Sequence, residues 1–135
     1  MKTMIAIIVF LSVLFSCNTT PKQTPELKES MARGAVVYEN FCMNCHMPNG
    51  EGIPKAFPPL AKADYLMKKR QESIKAVKYG LSGEITVNGV VYNSSMAALG
   101  LSDNEVADVM NYVLNSWGND DGKIVTPSEV SKIEP

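Results

Sequence analysis

The sequence holds little of what usually staples a small chain or cages a metal: three cysteines and one histidine in 135 residues. So few cysteines exclude a disulfide-framework mini-protein, and a lone histidine excludes any site that needs several imidazoles. Charge of one sign is also lacking. The formal net charge is −1 and the isoelectric point about 5.8, which excludes a strongly basic nucleic-acid-binding chain. Low-complexity tracts and collagen-like periodicity are absent. The length suits one domain of ordinary size and is too short for two independent cores.

The apolar run at the N-terminus, Met4 to Phe15, is broken only by Ser12 and is 12 residues long. A spanning helix needs about 20, so the run reads as a secretory signal after the positive start Met1-Lys2. Its end, Leu14-Phe15-Ser16-Cys17, resembles a bacterial lipobox, in which the cysteine is lipidated and becomes the mature N-terminus. An ordinary cleavage site wants small residues at −1 and −3, and here −3 is Leu14. The expectation is therefore a signal peptide at 1–16 and a lipid anchor on Cys17; the alternative is a plain secreted chain with a stray thiol. Residues 17–29, polar and twice interrupted by proline, read as a flexible tether. The folded domain would sit on the periplasmic side, near a membrane and outside it.

The chemistry-bearing residues gather in one place. Cys42-Met43-Asn44-Cys45-His46 has the spacing of a c-type haem attachment site. Two thiols about one helical turn apart suit the two vinyl groups of one haem edge. The histidine directly after the second is carried under the iron as proximal ligand. A zinc site normally takes four Cys/His ligands, more than a chain processed at Cys17 can gather around this motif. A redox CxxC would sit near a strand–helix–strand pattern, which is not present, and a structural disulfide leaves His46 unexplained.

There is no other histidine, so a methionine is the natural candidate for the second axial ligand. Met43 and Met47 flank the motif and lie on the proximal side. Met31 falls at the start of the first helix, and Met67 in a Lys-rich stretch that reads as a surface helix. Met110 shares an apolar helical stripe with Val106, Val109 and Val113, which reads as core. Met96, in the aperiodic stretch Tyr92 to Gly100, is the candidate; otherwise it fills a gap beneath that loop.

A first helix is expected over Ser30–Phe41 and a last one behind the capping box Ser102-Asp103-Asn104-Glu105, running toward Trp117 with Gly118 as its cap. Gly34 and Tyr38 share one face. They either pack against Tyr112 and the apolar stripe, closing the domain, or each packs locally. Tyr65 to Tyr79 supports one or two short helices ended by Gly80. Ile85 to Tyr92 around Asn88-Gly89 is a hairpin signal that delivers the chain to the Met96 loop. The proline-rich stretch from Pro48 to Leu60 offers a backbone carbonyl to the Nδ1–H of His46. Thr126-Pro127-Ser128-Glu129 opens a short terminal turn after a polar linker that starts at Asn119.

Taken together, the motif at 42–46, Gly34 with Tyr38, Phe57-Pro58-Pro59-Leu60, the Tyr92-to-Met96 loop and Tyr112 with Trp117 resemble the class I cytochrome c family over roughly 30–118. The resemblance implies an all-α fold of about four to five helices around one covalent haem, with a small β-hairpin before the axial methionine loop. It implies thioether links at Cys42 and Cys45, axial ligands His46 and Met96, the Pro58 carbonyl on His46, and Leu60 lining the pocket. Ala97 departs from it, because the family often has proline after the ligand methionine. Residues 119–135 then form a C-terminal extension.

The expected function is one-electron transfer with redox protein partners, by a monomer that is a carrier and not an enzyme. Alternatives are a haem subunit permanently docked in an oxidase or reductase, and a peroxidase or gas-binding protein with a displaceable Met96. Seven Lys/Arg in residues 55–78 and seven Asp/Glu in residues 103–134 make the chain dipolar, which suits either a docking face or simply solvated helices.

Overall fold

The computed structural model describes residues 23–135. The expected signal at 1–16, the lipidation site Cys17 and the tether through residue 22 lie outside the described residues. The described elements run α1 (Pro25–Phe41), α2 (Met43–His46), α3 (Asp64–Lys68), α4 (Arg70–Tyr79), β1 (Ile85–Val87), β2 (Val90–Tyr92), α5 (Asp103–Leu114) and α6 (Pro127–Ser131). The fold is the mostly helical one expected. The helix not anticipated as separate is α2, a single turn that carries the attachment motif. Among the described residues no helix is long and apolar enough to cross a membrane.

The first helix begins five residues before the expected Ser30. Thr24 caps it, its hydroxyl accepting from Leu27 N at 3.2 Å, and Pro25 occupies the first turn. Proline there loses no helical hydrogen bond and has its φ already set, so a residue read as interrupting a tether in fact starts a helix. Residues 25–29 of the expected tether are therefore helical. Leu27, Ser30, Gly34, Val37 and Tyr38 form the buried stripe of α1.

That stripe lies against α5, which opens with the capping box of Ser102 and Glu105. The two helices touch at Gly34: a Cβ there would overlap the Asp108 carbonyl oxygen and stand 2.9 Å from Tyr112 Cβ. Beside the contact a polar network is fully partnered. The Asp108 carboxylate accepts from Ser30 Oγ at 2.6 Å and from Arg33 Nε and Nη2 at 2.7 and 2.8 Å. Asn111 Nδ2 donates to Ser30 Oγ at 2.8 Å. On the other side of Gly34, Tyr38, Tyr112 and Trp117 form an aromatic trio with ring centroids 4.9 to 5.5 Å apart, tilted or edge-on.

Helix α5 stops at Leu114, short of Trp117. Side chains take three of its terminal carbonyls, Asn115 Nδ2 on Asn111 O, Ser116 Oγ on Tyr112 O and Asn119 Nδ2 on Val113 O, at 2.6 to 2.9 Å, and Asn115 N and Asp121 N donate to Tyr112 O and Leu114 O at 3.2 Å. Gly118 lies beyond this end and is not its cap.

Lys69 separates α3 from α4, and Gly80 ends α4. The hairpin pairs Ile85 with Tyr92, Thr86 with Val91 and Val87 with Val90. Asn88 and Gly89 both have positive φ, as a two-residue type I′ turn requires. Asn88 also exchanges two hydrogen bonds with Asp64, at 2.7 and 2.9 Å, which fastens the turn to the start of α3.

Residues 119–135, set apart above as an extension behind a polar linker, share the main core. Val125 and Val130 are 1% and 0% exposed. Asn111 grips the segment like a strand partner, accepting from Val125 N at 2.6 Å and donating to Val125 O at 2.9 Å. The charge separation seen in the sequence is partly cancelled here. Arg70 pairs with Asp121 and Glu129, and Lys78 with Asp103.

The Arg70 hydrogen bonds hold the Glu129 carboxyl below its ordinary value of 4.5. A depressed pKa in the folded state adds stability above the unfolded value, and that stability is lost as pH falls through the folded one. Glu129→Gln is expected to cost about 1–2 kcal/mol at neutral pH, with the gap closing well below pH 4.5. Denaturant unfolding of both proteins across that range measures it; a constant gap would contradict the assignment.

Candidate haem crevice

The turn α2 gathers the motif. Cys45 N and His46 N both donate to Cys42 O, at 3.1 and 2.9 Å, so the two thiols and the imidazole project from one helical turn. Cys42 is buried and Cys45 exposed. Burial, with the neighbouring Cys45 adding to it, pushes the Cys42 thiol up to about 11. Tyr38 steadies the exit from this turn, its hydroxyl donating to Met47 O at 2.7 Å. Burial drives that phenol well above its ordinary range.

The chain then doubles back. Gly52 N donates to His46 O at 3.0 Å, Ile53 and Phe57 pair across a tight loop, and Leu60 N and Ala61 N both donate to Gly50 O. This brings the Pro58 carbonyl to 2.9 Å from His46 Nδ1. A carbonyl can only accept, so Nδ1 carries the proton and Nε2 is left with its lone pair. Burial lowers the His46 pKa, partly opposed by the Pro58 bond, and so favours the neutral ring a metal requires.

The loop depends on two glycines that the sequence reading passed over. At Gly52, with φ +66°, a Cβ would lie 2.5 Å from Phe57 O and 2.7 Å from Pro58 O. At Gly50 it would meet the Trp117 ring at 2.5 Å. The Gly-x-Gly three residues after Met47 was the available signal.

Met96 arrives from the far side on the stretch after β2. Its backbone pairs with Leu81, just past α4, through two hydrogen bonds of 2.8 Å: Leu81 N to Met96 O and Met96 N to Leu81 O. No local pattern signals that pairing.

Between these pieces lies a two-lobed crevice whose lobes share Cys42, His46, Pro58, Leu81, Ile85 and Met96. The inner lobe, about 690 Å³, is closed by Leu60, Leu66, Val77, Val109 and Met110 among others. The outer lobe, about 830 Å³ with its mouth, adds Phe41, Cys45, Phe57, Ser94, Ser95 and Ala97. Among the described residues, no Lys, Arg, Asp or Glu lines either lobe. All six positions singled out for the haem, Cys42, Cys45, His46, Pro58, Leu60 and Met96, thus border one crevice. Met110 lines the inner lobe only, and Met67 packs against the core instead of standing on the surface. Met43 also packs on the core.

The donor set suits a haem. The walls are apolar, two thiols stand together at one side, and a neutral imidazole and a thioether share both lobes. Ser73 Oγ, buried on the inner wall with no hydrogen-bond partner among the described residues, is a spare donor for a bound group's polar edge. A bare metal is poorly served: no cluster of three or more His, Cys, Asp or Glu occurs among the described residues.

A helical fold closing such a crevice over a CxxCH turn defines a haem protein of the cytochrome class. The cytochrome c family model matches residues 31–117, and the chain belongs to that family, which implies a covalently bound c-type haem. The chain is 43% identical over 95 residues to a cytochrome c-552 of Thermus thermophilus, covering 67% of this chain and 64% of that protein. A second Thermus thermophilus cytochrome c-552 is 44% identical over 93 residues, or 65% and 70% of the two chains. The cytochrome c subunit of a quinone alcohol dehydrogenase from Gluconobacter oxydans is 32% identical over 109 residues, covering 74% of this chain and 21% of that one.

Gly52→Ala is expected to push the Pro58 carbonyl away from His46 and to cost about 2–4 kcal/mol, from left-handed strain plus overlap. At Gly83 a Cβ meets nothing within 4 Å, so Gly83→Ala should cost no more than about 1–2 kcal/mol of backbone strain. Denaturant unfolding, with NMR protection of the His46 Nδ1 proton, distinguishes them. Retained protection in Gly52→Ala would contradict this role for the loop.

Proposed function

We propose that the chain is a one-electron carrier whose haem is joined to Cys42 and Cys45 and held axially by His46 and Met96. The observation that carries this reading is that His46 and Met96 border both lobes of one apolar crevice, on the same wall system as both thiols. The haem supplies an Fe(III)/Fe(II) couple when bound. The protein's own part is holding and insulating. Pro58 keeps the imidazole in one tautomer and makes its free nitrogen a better donor. The Leu81 pairing holds the Met96 backbone at the crevice, and with His46 and Met96 both engaged the bound group would offer no open position to a substrate. Leu60 and the inner wall exclude water, which favours the less charged state of the bound group. The outer mouth, with exposed Cys45 and Phe41 47% exposed, is where a redox partner makes contact. Its lining is uncharged, so docking there rests on apolar contact.

We place the protein outside the cytoplasm, anchored through a lipid on Cys17 by a tether that ends at Thr24, where α1 is capped. A second reading, a cytochrome subunit docked in a dehydrogenase or oxidase, draws on the Gluconobacter relative, which is named as such a subunit. Co-purification with a partner separates it from a free shuttle.

Protein matured in a host able to attach c-type haem is expected to gain the mass of one haem that survives denaturation. The ferric form should show the long-wavelength sulfur–iron charge-transfer band. Met96→Ala should lose that band, and its ferrous form should bind carbon monoxide. No added mass, or a band that persists in Met96→Ala, would overturn the reading; ready carbon monoxide binding by the unaltered protein would favour a gas-binding or peroxidase role.

A further inference from the structure

The electron-carrier reading gives most of the C-terminal segment no task, yet α4 carries more of its polar attachments than any other element. Arg70, the first residue of α4, directs its guanidinium at five acceptors of that segment: both Glu129 carboxylate oxygens at 2.8 and 3.0 Å, Asp121 Oδ2, Lys123 O at 3.3 Å and Ile124 O at 3.1 Å. That matches the full donor count of an arginine. The Arg70 side chain is only 17% exposed, and four of the five bonds are partly shielded from solvent competition. At the other end of α4, Lys78 Nζ donates to Val130 O at 2.9 Å and Tyr79 OH to Ile133 O at 2.9 Å. Lys78 also reaches Asp103 at the start of α5, at 3.0 Å.

Both ends of α4 are therefore tied down, and the residues just past its C-terminus lie against the Met96 loop. Gly80 is so close to that loop that a Cβ would lie 2.7 Å from Met96 O and 2.9 Å from Ala98 N. Leu81, next in the chain, makes the two backbone bonds to Met96. Beyond this pairing the loop has little of its own to hold it. Among the described residues, no other backbone hydrogen bond outside helices and strands engages residues 93–100.

We propose that residues 119–135 brace the axial methionine: the segment fixes α4 through Arg70, Lys78 and Tyr79, and α4 fixes Met96 through Gly80 and Leu81. Arg70 is thus a positioning residue for a sulfur it does not touch. The brace sets how often the Met96 face opens, separately from how stable the whole fold is, because local opening and global unfolding are distinct equilibria. The inference rests on Met96 being the axial ligand.

The test uses ferric holoprotein and imidazole, which binds the iron only while the methionine is off. The imidazole binding rate therefore reads the open population when opening is fast. Arg70→Gln is expected to accelerate binding about tenfold, and Tyr79→Phe, which deletes one hydrogen bond and no packing, about threefold. Arg33→Gln breaks the Asp108 pair between α1 and α5, away from α4; it is expected to lower the unfolding midpoint and leave the imidazole rate within about twofold. Acceleration confined to the α4 variants establishes the brace. An unchanged rate in Tyr79→Phe and Arg70→Gln, or equal acceleration in Arg33→Gln, overturns it. Absence of the sulfur–iron band in the unaltered protein would instead remove Met96 as ligand, and the brace with it.

Discussion

The hydrogen bond between His46 Nδ1 and the Pro58 carbonyl is the constraint around which the rest of the structure is arranged. It commits the only imidazole in the chain to one tautomer and aims the remaining nitrogen into an apolar space. Making that bond requires the backbone to reverse between Met47 and Ala61, and the reversal requires glycine at 52, where the carbonyls of Phe57 and Pro58 crowd the site of a side chain. The loop is in turn clamped from outside. Trp117 covers Gly50, Tyr38 holds Met47 O, and Asn119 accepts from Lys62 N while donating to Leu60 O. The close packing of α1 on α5 thus has a direct bearing on the imidazole, because the aromatic trio beside Gly34 is also the lid over the histidine loop.

The two side chains proposed as iron ligands are held by different physics. His46 sits on a helical turn and is fixed by a short loop with many internal bonds. Met96 sits on a stretch with two backbone bonds, both to Leu81, and gains its position from elements far away in the chain. The proposed ligand pair therefore combines a firmly held imidazole with a thioether whose backbone rests on the residues just past α4.

Local signals in the sequence were strong where chemistry and turn geometry are local. The CxxCH motif, the Asn88-Gly89 hairpin and the Ser102 capping box each concern a few neighbouring residues, and the structure forms the elements they indicate. Met96 was selected by setting aside Met43 and Met47, which flank the motif, and Met31, Met67 and Met110, which read as helical; the crevice has both Met96 and Met110 on its walls, Met110 on the α5 stripe. Proline misled at Thr24-Pro25, because the same residue breaks a helix interior and starts a helix well; the cap at Thr24 was the overlooked clue. The end of α5 was misplaced since Asn115, Ser116 and Asn119 terminate it through side chains that no periodicity reveals. Charge was the least legible feature. Arg70 and Lys78 counted as part of a basic face in the linear sequence, and only the fold shows them consumed by acidic and carbonyl groups from residues 103–133.

The central claim, an iron held between one imidazole and one thioether inside an uncharged crevice, is tested most directly by X-ray absorption at the iron edge of the ferric protein. A first coordination shell of nitrogen scatterers with a single sulfur is the predicted result. A shell of light atoms alone, or one with more than one sulfur, would contradict it.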